Sequence, residues 1–391
     1  MLAYNGQTLD NLEIREEMAK ALRKNCIDAT TFSTIAVAHP VDFYTPNTII
    51  RIGLFILTGI CVSFSLGFLT LITGGFTSTG NGISTVFIFT ALLCVVILEL
   101  FIRKKKFFQA GVDDALIWSA ALLLGNSLLF SSTSSFILWS LIQLVVTALA
   151  TLRYADRILA GLFWLAFLSL IFNIAVNTGM ATRTIIPFLV IIFSFSAWYI
   201  VHLLMSNLRY RHYQPCLQVL SALTLLTAYL AGNYYVVREL GNKLFNLNLP
   251  EGQSIPGAWF FWIYTVAVPL VYIYFGILKK ATILLRTGLL LTAAIVFTIR
   301  YYYSELPLDT AMIIGGAILI TGAWALIRYL KTPRHGFTYQ PDEEASIMDK
   351  VQIESLIIAQ TFTPGSHMPQ NNNDLHLGEG SGGGGGASGE F

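Results

Sequence analysis

The sequence predicts an all-α, polytopic integral membrane protein, and three observations lead to this fold class. Stretches of about 20 apolar residues, each long enough to cross a bilayer, fill most of the chain between residues 47 and 330. The composition is 55% hydrophobic and only 12% charged, whereas a soluble domain carries about 25% charged residues. Lys and Arg also fall mostly in alternate loops, as expected when successive loops lie on opposite sides of a membrane.

Ten candidate spans follow one another in the central region. Because unpaired backbone groups are too costly in hydrocarbon, each span is expected to be a helix. Uninterrupted apolar runs also differ from the short alternating strands of a transmembrane barrel. The predicted spans cover residues 48–72, 83–102, 114–131, 135–152, 157–178, 184–205, 215–236, 257–278, 282–300 and 309–329.

The distribution of basic residues predicts that both ends of the chain are cytoplasmic. Basic loops stay on the cytoplasmic side of a membrane during insertion. One set of alternate loops and span ends carries Arg103, Lys104, Lys105, Lys106, Arg153, Arg157, Arg209, Arg211, Lys279, Lys280, Arg286, Arg328, Lys331 and Arg334. The opposite set carries only Arg183, Arg238, Lys243 and Arg300. We therefore expect an N-in, C-in topology.

Four segments are expected along the chain. Residues 1–46 form a cytoplasmic helical segment, because the run 9–24 is rich in helix formers with acids early and bases late. This segment either rests on the membrane domain or docks another protein. Residues 47–330 form the ten-helix transmembrane domain, and residues 331–363 form a cytoplasmic juxtamembrane segment with a short helix, for which a strand is the alternative. The Asn- and Gly-rich residues 364–391 are expected to be disordered.

Polar side chains near the predicted outer ends of the spans are the candidates for a ligand site. Asn173 and Asn177 are four residues apart and therefore share one helix face. Amides in this setting mostly hydrogen-bond between helices, and tyrosines mark the membrane interface. The alternative is an outward-opening polar cavity whose charged rim receives an anionic or zwitterionic ligand. The candidates are Asn173, Asn177, Arg238, Glu239, Arg300, Glu305 and Asp309, with Asn126, Gln143 and Asn233 at similar or deeper levels.

Charged residues near the predicted cytoplasmic ends have structural explanations. Glu99 precedes Arg103 by four residues, so the two are expected to form an interfacial i,i+4 pair. Asp113 and Asp114 precede a span, where carboxylates stabilise the helix N-terminus. Arg51 opens the first span and is expected to extend to the lipid headgroups.

The sequence contains no recognisable catalytic, metal or nucleotide motif. His202 and His212 lie ten residues apart without carboxylates or thiols placed as ligands, so neither a metal site nor a cofactor is expected. A net charge of +2, spread over loop clusters, argues against nucleic-acid binding. The spacing of the cysteines fits neither a metal knuckle nor a redox pair; they are Cys26, Cys61, Cys94 and Cys216.

The entry to the first span carries one resemblance. Residues 42–58 read Asp-Phe-Tyr-Thr-Pro-Asn-Thr-Ile-Ile-Arg-Ile-Gly-Leu-Phe-Ile-Leu-Thr and follow a short helical segment. This arrangement resembles the start of uncharacterised bacterial multi-pass membrane proteins with a small N-terminal helical segment. The resemblance implies a many-span protein of the bacterial cytoplasmic (inner) membrane and implies no reaction.

The end of the chain carries a second resemblance. Residues 382–391, Gly-Gly-Gly-Gly-Gly-Ala-Ser-Gly-Glu-Phe, follow Gly-Glu-Gly-Ser at 378–381. Such a run is similar to the Gly-rich tails of TPM-domain and LemA-associated membrane proteins, although no TPM domain is present. The resemblance implies a short recognition tag, with Gly389, Glu390 and Phe391 as partner-binding candidates. The alternative is an engineered linker, since residues 365–368 and 390–391 also read as cloning scars.

The absence of catalytic constellations, together with the terminal tag, favours a non-enzymatic membrane scaffold or partner subunit. A small-molecule permease is the alternative, supported by ten spans and the outward polar cluster. An intramembrane enzyme acting on a lipid-linked substrate is the second alternative. The expected partners are the lipid bilayer and other membrane proteins, reached through the C-terminal tail.

Overall fold

A computed structural model describes residues 2–73, 80–130, 135–178, 180–245, 255, 257–279 and 281–302, with scattered positions between 310 and 328. Across these residues the chain is helical, and the only β pairing is an isolated bridge between Tyr44 and Phe107. The predicted all-α character is therefore confirmed for this part of the chain. Contacts divide the protein into two compact units, Met1–Glu344 and Ala345–Phe391. The second unit, with the tail candidates Gly389, Glu390 and Phe391, lies outside the described residues.

The described chain forms a series of helices joined by short connections. Two 3-10 turns, Ser127–Phe130 and Leu208–Tyr213, accompany them. The helices are α1 (Gly6–Arg23), α2 (Ala29–Ala38), α3 (Thr48–Ile72), α4 (Gly80–Lys105), α5 (Val112–Asn126), α6 (Phe136–Tyr154), α7 (Arg157–Thr178), α8 (Met180–Met205), α9 (Gln214–Gly232), α10 (Tyr234–Phe245), α11 (Ala258–Leu278) and α12 (Thr282–Tyr302).

Eight helices in the described part are long and apolar enough to cross a membrane: α3, α4, α6, α7, α8, α9 with the turn before it, α11 and α12. Two predicted spans have a different form. The third is a short helix, α5, that continues as the 3-10 turn after Asn126. The seventh is interrupted, because α9 ends at Gly232 and a separate helix, α10, begins at Tyr234. The tenth, 309–329, lies mostly outside the described residues.

Local chemistry explains several helix starts. The Ser135 hydroxyl accepts a hydrogen bond from the Leu138 amide at 3.2 Å and caps α6, as a serine at the N-cap does. The Asp156 carboxylate accepts from the amides of Ile158 and Leu159 at 2.9 and 2.8 Å and caps α7. These bonds satisfy amides that have no partner inside the helix.

The other helices pack around two central helices, α9 and α5. α9 contacts α7, α8, α10, α11 and α12 and buries Leu225 and Tyr229 almost completely. α5 contacts α3, α4 and α6, and buries more than half of its own residues. α3 lies at the periphery and has no buried residue. Among the described helices, α9 and α5 are therefore central to the packing, whereas α3 is peripheral.

The N-terminal segment contacts one end of the helix bundle. The Ala3 amide donates to the Arg153 carbonyl at 2.8 Å, and Tyr4, 7% exposed, packs edge-on against Phe43 and Phe108. The predicted helix over 9–24 is observed as α1. α2 is not predicted, because its run of Thr, Ser and Val favours helix only weakly.

Candidate functional site

The interruption between α9 and α10 creates a buried polar network at one end of the bundle. Asn233, 2% exposed, lies in extended conformation between the two helices. Its amide nitrogen donates to the Tyr229 hydroxyl at 2.9 Å and to Thr298 Oγ1 at 3.1 Å. Its amide oxygen accepts from the Val236 amide at 3.2 Å, which starts α10. One side chain therefore joins α9, α10 and α12.

Aromatic rings and two charges surround this interruption. We call Tyr234, Tyr235, Trp262, Tyr301 and Tyr302 the aromatic cluster. Ring centroids in contact are 4.6 Å apart in the Tyr234–Trp262 and Tyr235–Tyr301 pairs and up to 6.5 Å apart in the Tyr235–Tyr302 pair. The Arg238 guanidinium lies 5.1 Å from the centre of the Tyr302 ring, which is a cation–π geometry. Glu239 lies close to the Tyr301 hydroxyl.

The other predicted rim residues are Arg300, Glu305 and Asp309. Arg300 lies near the end of α12, and its Nε atom is buried without a hydrogen-bond partner among the described residues. Glu305 and Asp309 lie outside the described residues. The structure therefore brings Arg238 and Glu239 together beside the aromatic cluster and does not describe the complete rim.

Asn173 and Asn177 hydrogen-bond near the same end of the bundle, but towards another helix. The Asn173 side chain donates to the Phe136 carbonyl at the start of α6 at 3.4 Å and to the Ser169 hydroxyl at 3.3 Å. The Asn177 side chain donates to the Asn173 carbonyl at 2.7 Å. Asn173 thus makes the inter-helix bond expected of an amide in lipid, whereas Asn177 is exposed and bonds within α7.

The opposite end of the bundle carries an ionic site that the sequence reasoning missed. The Arg153 Nη2 donates to both Glu99 carboxylate oxygens at 2.9 Å, and its Nε donates to one of them at 3.0 Å. The Tyr154 hydroxyl adds a bond to Glu99 at 3.1 Å. The expected Glu99–Arg103 pair exists but is longer, at 3.6 Å. Glu99 therefore binds α6 more closely than it binds its own helix.

Arg51 also has a partner other than the one expected. Its guanidinium donates through Nε and Nη2 to one oxygen of Asp114, at 3.1 and 2.7 Å, and so joins α3 to α5. Asp113 and Asp114 do lie in the first turn of α5, as predicted. The Asp113 carboxylate accepts from the Ala110 amide at 2.8 Å and is 1% exposed.

Buried ionisable groups accumulate around this end. The Asp156 carboxylate also accepts from the Trp118 indole at 3.2 Å, and burial raises the pKa of Asp156 above its ordinary value despite its hydrogen bonds. Burial raises the pKa of Tyr4 in the same way, and the Asp113 carboxylate adds to that rise. Tyr4 belongs to the N-terminal segment, so this segment lies close enough to Asp113 and Asp156 for their charges to act on its hydroxyl.

α1 is attached to the bundle by a further ion pair. Asp10 accepts a hydrogen bond from Arg211, and the Asp10 carboxylate lies 3.4 Å from His212 Nε2. The Tyr213 hydroxyl of the same turn donates to the Leu152 carbonyl at 2.6 Å. The ends of α4, α6 and α8 and the N-terminal segment are therefore linked at one end of the bundle.

Beside the Glu99–Arg153 pair, a cavity of about 440 Å³ opens between α4, α5 and α6. We call it the α4–α6 groove. It is lined by Val95, Leu98, Glu99, Ile117, Ala120, Ala121, Leu124, Val146, Leu149, Ala150, Leu152, Arg153 and Tyr154. Its volume lies within the range of small-molecule sites, and its walls are apolar with a few polar groups, as in such sites.

Metal-binding clusters and disulfides are absent from the described residues. Among the described residues, no group of three or more His, Cys, Asp or Glu side chains could hold a metal ion, and all four cysteines are free thiols. The polar groups around Asn233 and Glu99 hydrogen-bond mostly to one another. No protein-family model matches the chain, and no curated protein or solved structure is significantly similar to it.

Proposed function

We propose that the protein is a non-enzymatic scaffold or partner subunit of a membrane assembly, and that α3 binds the partner. The exposure of α3 is the observation that carries this proposal. None of its 25 residues is buried, whereas each of the other seven membrane-length helices in the described part buries some of its apolar window inside the protein. Phe64 and Phe68 are 76% and 63% exposed.

One face of α3 suits pairing with another transmembrane helix. Gly59, Ser63 and Gly67 follow at four-residue spacing and so form a strip along the helix. Strips of small residues allow close approach of two backbones in lipid, where van der Waals packing drives association. The strip belongs to a shallow groove that is also lined by Ile56, Ile60, Phe64, Phe68, Thr70 and Leu71.

Filling this groove tests the proposal. A Cβ atom added at Gly59 or Gly67 meets nothing within 4 Å, so the double variant Gly59→Leu, Gly67→Leu is expected to fold normally. We expect the protein that co-purifies with the native chain in mild detergent to fall by about tenfold in the variant, because helix pairing in lipid depends on close packing. Quantitative mass spectrometry of the purified complex measures this loss.

The matched control is Ser65→Leu. Ser65 is exposed and is not part of the groove lining; two residues from both Ser63 and Gly67, it lies on another face of α3. We expect this variant to keep its partner and its melting temperature. Equal partner retention by the double variant and the control would contradict the role of α3.

The C-terminal tail is the second proposed contact. Residues 378–391 are rich in glycine and end in an aromatic residue, a composition that suits a short docking peptide. Deleting these residues in the same co-purification distinguishes the two contacts, since a tail-bound partner would be lost from the deletion alone.

For topology, we propose ten spans with both chain ends in the cytoplasm of a bacterial cell. The linkage of Asp10 to Arg211 and of Ala3 to Arg153 supports it, because the N-terminal segment then lies on the side of the basic loops. Activity reporters fused after Lys106 and after Lys280 are expected to lie inside the cell. A reporter found outside would reverse this orientation.

The interruption of α9 at Asn233 favours the permease as a second candidate. Discontinuous helices with exposed backbone ends form the binding sites of many transporters, and Arg238 and Glu239 lie directly after this interruption. Saturable uptake of a zwitterionic or anionic solute by vesicles containing the purified protein alone, abolished by Arg238→Gln, would favour the permease over the scaffold.

A further inference from the structure

The α4–α6 groove has one polar end and otherwise apolar walls. Its lining side chains include Leu98, Ile117, Leu124, Val146 and Leu149, with Ala120, Ala121 and Ala150 where space is left open. Two of the helices that form it are membrane-length and apolar. A hydrocarbon chain is the occupant that such walls accept without leaving a polar group unpaired.

The polar end of the groove has an excess of positive charge. Glu99 is the carboxylate that lines it, and Arg153 neutralises that charge through the paired bonds described above. Arg103 lies one turn beyond Glu99 on the same face of α4, and its side chain is 74% exposed. Lys104 and Lys105 follow in the last turn of α4. Two guanidiniums, those of Arg103 and Arg153, therefore lie beside the one carboxylate that lines the groove.

We propose that the α4–α6 groove binds an anionic phospholipid, with one acyl chain along the apolar walls and the phosphate beside Arg103. Basic pockets between transmembrane helices bind anionic headgroups in this way. A zwitterionic lipid would gain the apolar contact without the charge, and a soluble phosphate would gain the charge without the apolar contact. The site does not depend on the proposed partner of α3, because the α4–α6 groove is lined by residues of α4, α5 and α6, whereas the partner would bind residues of α3.

Two pairs of variants separate the headgroup contact from the chain contact. Arg103→Gln removes the exposed guanidinium, and Arg209→Gln removes an exposed basic residue from another connection at the same end. Ala150→Leu extends a side chain into the groove. Val145→Phe adds volume to the same helix at a position that is 48% exposed and is not part of the groove lining.

The experiment uses the full chain, stripped of lipid in mild detergent, and counts bound lipids by native mass spectrometry. The probes are phosphatidylglycerol and phosphatidylcholine with identical acyl chains, and glycerol phosphate without chains. We expect native protein to bind phosphatidylglycerol about fivefold more tightly than phosphatidylcholine, the size of one basic contact at the headgroup level. Arg103→Gln should remove this preference, and Ala150→Leu should weaken binding of both lipids.

Three results would overturn the proposal. The first is equal affinity of the native protein for the two lipids. The second is an effect of Arg209→Gln or Val145→Phe as large as that of its partner variant, which would indicate binding elsewhere on the surface. The third is competition by glycerol phosphate as effective as that by phosphatidylglycerol, which would identify an anion site without a lipid chain. Melting temperatures of all variants check that each one is folded.

Discussion

Replacing Gly111 by alanine is expected to cause the largest loss of stability of any single methyl addition in the described chain. Gly111 precedes α5 with φ 93° and ψ −39°, a conformation that L-residues rarely adopt. A Cβ at this position would lie 2.1 Å from the Arg51 carbonyl oxygen and 3.1 Å from the Phe55 amide nitrogen. Both atoms belong to the backbone of α3 and cannot rotate away. We expect a loss of at least about 3 kcal/mol from backbone strain and overpacking together.

Gly257→Ala is the matched control for this prediction. Gly257 also has a positive φ, 72°, but a Cβ there meets nothing within 4 Å. This variant carries the backbone strain alone, and we expect it to cost about 1 kcal/mol. Thermal unfolding of both variants in the same detergent gives the comparison. Equal melting temperatures would show that α3 does not approach α5 as closely as the structure has it.

Replacing Asn233 by leucine is expected to have the second largest effect. The substitution leaves the Tyr229 hydroxyl, the Thr298 hydroxyl and the Val236 amide without the bonds that Asn233 supplies. Thr298 still donates to the Ala294 carbonyl at 2.9 Å, whereas Tyr229 and Val236 lose the partner that Asn233 provides. An unpaired buried group costs about 1 to 3 kcal/mol in a protein interior, although bonds between membrane helices average less. We expect a total loss of about 3 kcal/mol, read as a lower melting temperature and faster proteolysis near the start of α10.

Asn177→Leu provides the comparison for this variant. Asn177 undergoes the same chemical change, but it is exposed, and within the described part of the chain its side chain bonds only to a carbonyl of its own helix. We expect its stability to stay within about 0.5 kcal/mol of the native value. If Asn177→Leu lost as much stability as Asn233→Leu, the buried network around Asn233 would contribute no more to stability than an exposed amide does.

Several span boundaries follow from the sequence with little error. The predicted first and fifth spans, 48–72 and 157–178, coincide with α3 and α7. In both cases a polar or charged residue adjoins each end of a continuous apolar run, so the average hydropathy changes sharply there. The ion-pair partners of Glu99 and Arg51 were not predictable in this way, because Arg153 and Asp114 are 54 and 63 residues distant in the chain.

The interruption at Asn233 shows the limit of pattern reasoning. Residues 229–236 read Tyr-Leu-Ala-Gly-Asn-Tyr-Tyr-Val, and averaged hydropathy continues through them as one span. Asn233 ends the helix because Thr298 and Thr265 stand nearby: Thr298 accepts its side-chain amide, and Thr265 Oγ1 accepts the Tyr234 amide at 3.0 Å. Both threonines lie on other helices, so the sequence of α9 gives no information about these contacts.

By itself, the sequence determined that this is a helical chain with many apolar, membrane-length segments, since hydrocarbon accepts only backbone that is paired within its own segment. It also determined which loops are basic. Only the tertiary structure decided which charges neutralise one another, which helix is left without buried residues and where a groove opens between neighbours. These features depend on contacts between residues far apart in the chain, and such contacts form only when the helices have packed.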